Sequence, residues 1–183
     1  LKSPNPLIRI RSMYTLAILY LRQHPQYLHS VSKGEKYLSD AYEFIKRLQQ
    51  SHVSVLTPEE EEELESLRLI NRAGYALCLY RQNQFTESIA VIEQGLQDLE
   101  KMPESEKRGF LIVNAYGNKA QLLRALGFLE ESLEIDKMLS ETDPYFQMWW
   151  VEYAQLLLEV GKDDEAGSVI KAALEIHDTT PEL

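Results

Sequence analysis

Cysteine is almost missing from this chain: a single residue, Cys78, in 183. One thiol forms no intramolecular disulfide and no cysteine-based zinc site. It sits in the apolar run Ala76-Leu77-Cys78-Leu79, which predicts a reduced, buried side chain. A reducing, cytoplasmic location is therefore expected. Glycine (8) and proline (7) are scarce, and the prolines fall between apolar segments, as in a helical protein. No apolar run approaches the ~20 residues that span a bilayer. Arg9 and Arg11 interrupt the first apolar stretch, which does not read as a signal-peptide core. Basic residues are outnumbered, 19 Lys and Arg against 29 Asp and Glu, for a formal net charge of −10. Direct nucleic-acid binding needs clustered Lys and Arg to displace counterions, so it is not expected, and neither is an anionic membrane surface.

Catalytic signatures are missing too. There is no Gly-rich phosphate loop and no Gly-x-Ser-x-Gly. The four histidines (His24, His29, His52, His177) lack the spacing of a helical metal site, and His24 and His29 are separated by a proline. Each reads as a surface or turn residue. Asp163 and Asp164 fall in a turn, where aspartate caps helices. No catalytic residue, cofactor or metal is expected, and the chain does not read as an enzyme.

What is present is helical periodicity. Leu67, Ile70, Ala73, Ala76, Leu77 and Tyr80 recur at three- and four-residue steps. Leu111, Val113, Tyr116, Ala120, Leu123 and Leu126 do much the same, as do Met148, Val151, Ala154, Leu157, Leu158 and Val160. No stretch alternates like a strand bounded by hairpin turns. Thr57 followed by Pro58 and the acid run Glu59–Glu63 reads as a helix start, with the glutamates at the positive end of the helix dipole.

The helix breaks resemble one another. Asn83, Gly127 and Gly161 each tolerate a left-handed backbone, and each is followed five residues later by a small residue: Ser88, Ser132 or Ala166. This spacing predicts a tight αα-hairpin used three times. Gly127 and Gly161 are 34 residues apart, as are Tyr116 and Trp150, Ala120 and Ala154, Leu123 and Leu157, and Ser132 and Ala166. On these residues the chain resembles the tetratricopeptide repeat (TPR) family, whose hairpins recur every 34 residues.

The resemblance implies an all-α, right-handed αα-hairpin superhelix forming a single domain of about four hairpins, at approximately 7–51, 58–102, 110–142 and 145–177. Ser88 precedes Ser132 by 44 residues rather than 34, and the insert is expected as a longer helix end and polar loop over Leu99–Lys107. Lengthened repeats of this kind occur in kinesin light chains and bacterial peptide-pheromone receptors. Upstream, helices near Leu7–Arg22 and Lys33–Gln50 are expected to form a first hairpin. Its turn is placed at Gln23–Ser32 around Pro25, with Ala41 as its small residue. Thr180-Pro181-Glu182 repeats the cap-proline-acid signal. The chain begins with Leu, so it is expected to be a fragment of a longer protein.

In TPR hairpins the first helix lines a concave groove. The resemblance places Ala73, Leu77, Tyr80 and Arg81 there in the second hairpin. In the third it places Asn114, Gly117, Asn118, Gln121 and Arg124, and in the fourth Met148, Val151, Glu152 and Gln155. A true first hairpin adds Arg11, Tyr14, Ile18 and Arg22. The candidate peptide-binding set is Tyr80, Arg81, Asn114, Asn118, Gln121, Arg124 and Gln155. Asn and Gln amides match the donors and acceptors of an extended peptide, and an arginine can fork onto a carboxylate. Arg81 and Arg124 read as similar helix-end positions, pointing to an acidic or C-terminal segment. The carboxylate clamp of chaperone-tail TPR domains is not expected. Asn118 could fill its middle role, but Ala73-Gly74, Met148 and Glu152 stand where Lys, Asn and Arg are required. Trp150 is expected to be the inward anchor and Trp149 exposed, unless Trp149 packs on the preceding hairpin near Met138. The function implied is a non-enzymatic scaffold binding a protein or peptide segment. The alternatives are the peptide-sensing half of a bacterial transcription regulator and a self-association module.

Overall fold

The computed structural model describes residues 5–23, 28–50 and 56–178, and these form eight α-helices with no strand among them. The helices are α1 (Pro6–Gln23), α2 (Leu28–Gln50), α3 (Pro58–Arg81), α4 (Phe85–Glu100), α5 (Glu106–Leu126), α6 (Leu129–Thr142), α7 (Gln147–Glu159) and α8 (Asp163–Asp178). The chain divides into two compact units, Leu1–Leu111 and Ile112–Leu183, with the division inside α5. The helix start signalled at Thr180 lies outside the described residues, as do Pro25, His24 and His52 and the side chains of His29 and His177.

In the first unit, α3 starts where Thr57 and Pro58 dictate. Thr57 Oγ1 accepts from Glu60 N–H and Glu60 Oε2 accepts from Thr57 N–H, closing a reciprocal capping box. One core cluster joins Leu7, Ile10 and Met13 of α1 to Ala41 and Ile45 of α2 and Leu64 and Leu67 of α3. A second joins Ala17, Leu21, Val31, Leu38 and Cys78. Cys78 is fully buried, and burial followed by the nearby Glu35 pushes its thiol up to about 12, leaving an unreactive side chain. Burial also opposes ionisation of Asp98. The hydrogen bonds from Arg72 and Arg68 outweigh it and hold that carboxyl down at about 2.

Two expectations for the first hairpin need correction. Helix α2 begins at Leu28, so Leu28–Ser32 is helical and the connection is shorter than the Gln23–Ser32 turn. The close crossing is made by Gly34, not Ala41. A Cβ on Gly34 would lie 2.8 Å from Leu21 Cγ and 3.2 Å from the Ala17 carbonyl oxygen. Ala41 is instead an ordinary member of the first core cluster.

The three later turns share one backbone geometry. Asn83, Gly127 and Gly161 have φ of 60°, 84° and 78°. After each, the next residue's N–H returns to the carbonyl five residues back: Gln84 to Leu79, Phe128 to Leu123 and Lys162 to Leu157, all 2.9 Å. These are left-handed C-terminal closures of the Schellman type. The small residues then sit against the partner helix. Ser88 Oγ donates 2.6 Å to the Ala76 carbonyl and Ser132 Oγ donates 3.0 Å to that of Ala120. Ala166 is equally buried but has no hydroxyl to donate.

The ten additional residues between Ser88 and Ser132 do not form a loop. Only residues 101–105 separate α4 from α5, against 143–146 between α6 and α7. Most of the surplus is helix: α5 begins 14 residues before Ala120, whereas α7 begins 7 before Ala154. Seven residues are close to two helical turns. In the second unit, Leu133, Leu156, Leu157 and Ala166 form a core shared by α6, α7 and α8.

Candidate functional site

The turns fix a common register. Counting back from Asn83, Gly127 and Gly161, equivalent places are Ile70, Asn114 and Met148; Gly74, Asn118 and Glu152; Leu77, Gln121 and Gln155; Tyr80, Arg124 and Leu158. Arg81 therefore aligns with Ala125 and Glu159, not with Arg124. This corrects the pairing of the two arginines read from the sequence.

In the second unit, α5 and α7 present a polar seam. Asn114, Asn118 and Gln121 are exposed along α5, and Gln155 is exposed on α7. Gln121 Nε2 donates 3.2 Å to Glu152 Oε1. Arg124 Nε donates 3.0 Å to Glu159 Oε2, and its Nη2 lies 3.0 Å from Oε1 as an ion-pair contact without hydrogen-bond geometry. Asn118 and Gln155 make no side-chain hydrogen bond among the described residues. Arg124 is thus already held by a carboxylate of its own chain.

Behind the seam lies Asp136 of α6, 2% exposed. Its Oδ1 has no hydrogen-bond partner among the described residues. Burial first, and the charge of Glu152 second, push its carboxyl up to about 6, while Arg124 pulls the other way. Asp136 was not singled out from the sequence, although a signal exists. It falls on the apolar stripe between Leu133 and Leu139, and the equivalent places in α4 and α8 are Ile92 and Ile170.

No protein-family model, no curated protein and no solved structure matches this chain.

The tryptophans reverse their expected roles. Trp149 is the buried one, at 8% exposure. Its ring lies so close over Gly117 that a Cβ there would meet Cη2 at 2.6 Å, and it tilts against Phe146 with ring centroids 5.1 Å apart. Packing on the preceding hairpin, at Gly117 of α5, is thus what buries it. Trp150 is half-buried and donates from Nε1 to the Pro144 carbonyl at 2.8 Å. The reason is directional: Trp149 is on the face of α7 that meets α5, and Gly117 leaves room for an indole. Met148 and Val151 are exposed. Val151 lines an apolar cavity of about 280 Å³ with Trp150, Ala154, Ile170 and Leu174.

The remaining candidates belong to the first unit. Tyr80 is half-buried, its ring tilted against Phe85 with centroids 5.5 Å apart. Arg81 is half-buried with Nε lacking a partner among the described residues. Of the first-hairpin set, Arg11 pairs with Glu63, which also takes Lys107 at 2.7 Å. Tyr14 and Ile18 pack toward Gly74, whose added Cβ would meet Tyr14 Cε2 at 3.1 Å and Ile18 Cδ1 at 3.5 Å. They close a helix contact instead of lining an open groove. Among the described residues no group of three or more His, Cys, Asp or Glu is placed to hold a metal ion. No helix among them is long and apolar enough to cross a membrane.

Proposed function

We propose that this chain is a non-enzymatic, TPR-like scaffold that binds a protein or peptide segment along the α5–α7 seam. The observation that carries the reading is the exposed amide row of Asn114, Asn118 and Gln121 on α5, with Gln155 exposed on α7 and the Gln121–Glu152 and Arg124–Glu159 ties at the C-terminal end of the row. Amides at helical spacing supply the donors and acceptors that an extended backbone needs, and the ties hold neighbouring side chains in one geometry. The seam carries Glu152 and Glu159 against one arginine, so its charge favours a neutral or basic segment over the acidic or carboxylate-terminated one suggested by Arg81 and Arg124. An incoming carboxylate engages Arg124 only by displacing Glu159.

The test is a peptide array probed with the chain and with its Asn118→Ala and Arg124→Ala variants. Asn118→Ala is expected to weaken the retained peptides, because it removes an exposed amide and no protein contact. Arg124→Ala releases Glu159 and is expected to shift the retained set toward basic sequences. If both variants retain the same peptides at the same strength as the parent, the seam is only a solvated face.

A further inference from the structure

Twelve residues before the left-handed turn residue, the aligned hairpins carry Asn71, Ala115 and Trp149. In the last hairpin that place holds an indole buried against Gly117 of α5. In the first unit it holds an amide, and beside the amide is a cavity of about 300 Å³ between α2 and α3, lined by Leu38, Ser39, Tyr42, Asn71, Arg72 and Tyr75. Asn71 is 3% exposed. Its Nδ2 donates 3.0 Å to the Leu38 carbonyl, and its Oδ1 accepts nothing among the described residues. A buried acceptor left in that state costs roughly 1–3 kcal/mol until a donor reaches it.

The walls say what kind of donor fits. Tyr42 and Tyr75 are 50% and 39% exposed, offering two aromatic surfaces beside the cavity. The Arg72 guanidinium pairs with Asp98 at 2.6 Å, within a network in which Asp98 also takes Arg68 and Arg68 takes Glu65. The wall therefore calls for neither a cation nor an anion, and the buried, unmet acceptor calls for an N–H.

We propose that this cavity binds a neutral, planar side chain carrying an N–H donor, a tryptophan indole presented on a peptide. The indole N–H donates to Asn71 Oδ1 and the ring lies against Tyr42 and Tyr75. The site is confined to the first unit and shares no residue with the α5–α7 seam, so the two readings stand or fall separately.

The experiment titrates N-acetyl-tryptophanamide into the full ¹⁵N-labelled chain and follows amide shifts. Saturable shifts are expected around Leu38–Tyr42 and Asn71–Tyr75. The 1-methyl derivative, which keeps the ring and loses the donor, is expected to bind roughly five- to tenfold more weakly, the worth of one hydrogen bond. Tyr42→Ala removes an exposed wall without touching the core and is expected to weaken binding at least severalfold. Asn71→Trp fills the cavity and is expected to abolish it. No saturable shifts in these segments would overturn the proposal and leave Asn71 Oδ1 to an ordered water. Equal affinity for the methylated probe, or unchanged affinity in Tyr42→Ala, would overturn it as well.

Discussion

Replacing Asp136 with asparagine keeps the shape of the side chain and removes its ability to ionise. In the folded protein the carboxyl titrates at about 6, raised from 3.8 by burial and by Glu152 against the pull of Arg124. The native state therefore holds this proton more tightly than the unfolded chain does. Stability from this group is absent at pH 7, grows as pH falls through about 6, and is complete below the unfolded value. Between pH 7 and pH 5 the native state takes up nearly one proton that the unfolded chain does not, which the linkage slope makes worth roughly 1 kcal/mol. Asp98 acts in the opposite direction. Its carboxyl is held down at about 2, so its contribution is intact above its unfolded value of 3.8 and fades only at lower pH. Both tryptophans of the chain lie in the same unit as Asp136, so their emission reports on that unit during urea unfolding. The wild type is expected to gain about 1 kcal/mol from pH 7 to pH 5 relative to Asp136→Asn. Any constant cost of the amide cancels in this comparison. An identical pH dependence in the two proteins would refute the reasoning.

The glycines of α5 make a matched pair. Gly117→Ala places a Cβ 2.6 Å from the Trp149 ring and is expected to destabilise the second unit by roughly 1–3 kcal/mol, with a blue or red shift in tryptophan emission. Gly109→Ala meets nothing within 4 Å, so the helix preference of alanine is expected to raise the melting temperature, by about 0.5–1 kcal/mol of stability. Ser132→Ala removes the donor to the Ala120 carbonyl and is expected to cost about 1 kcal/mol in the same urea titration. A neutral result there would mean that the buried hydroxyl adds nothing beyond what Ala166 already provides in the next hairpin.

Much of the candidate site could not be read along the chain. The exposed amides of Asn114, Asn118 and Gln121 were legible, because three- and four-residue spacing places them on one face whatever surrounds the helix. Their partners were not. Glu152 and Glu159 are ordinary acidic residues in the sequence, and only the approach of α7 to α5 turns them into the acceptors for Gln121 and Arg124. Asp136 reads as a polar interruption of an apolar stripe, and only burial in the fold, together with the charge of Glu152, gives it an altered acidity.

Local chemistry was decided by the sequence itself. The Thr57–Glu60 cap needs only residues three apart, and the turns at Asn83, Gly127 and Gly161 need only side chains that tolerate positive φ. Helical periodicity likewise marked most of the helices, since it depends on neighbours within the same segment. Tertiary structure alone decided which of Trp149 and Trp150 is buried, that Gly34 rather than Ala41 closes the first hairpin, and that Asn71 keeps an unmet acceptor. Adjacent residues on a helix point about 100° apart, and which direction meets another helix is set by that helix's own contour. For Trp149 that contour is the gap left by Gly117, 32 residues earlier in the chain.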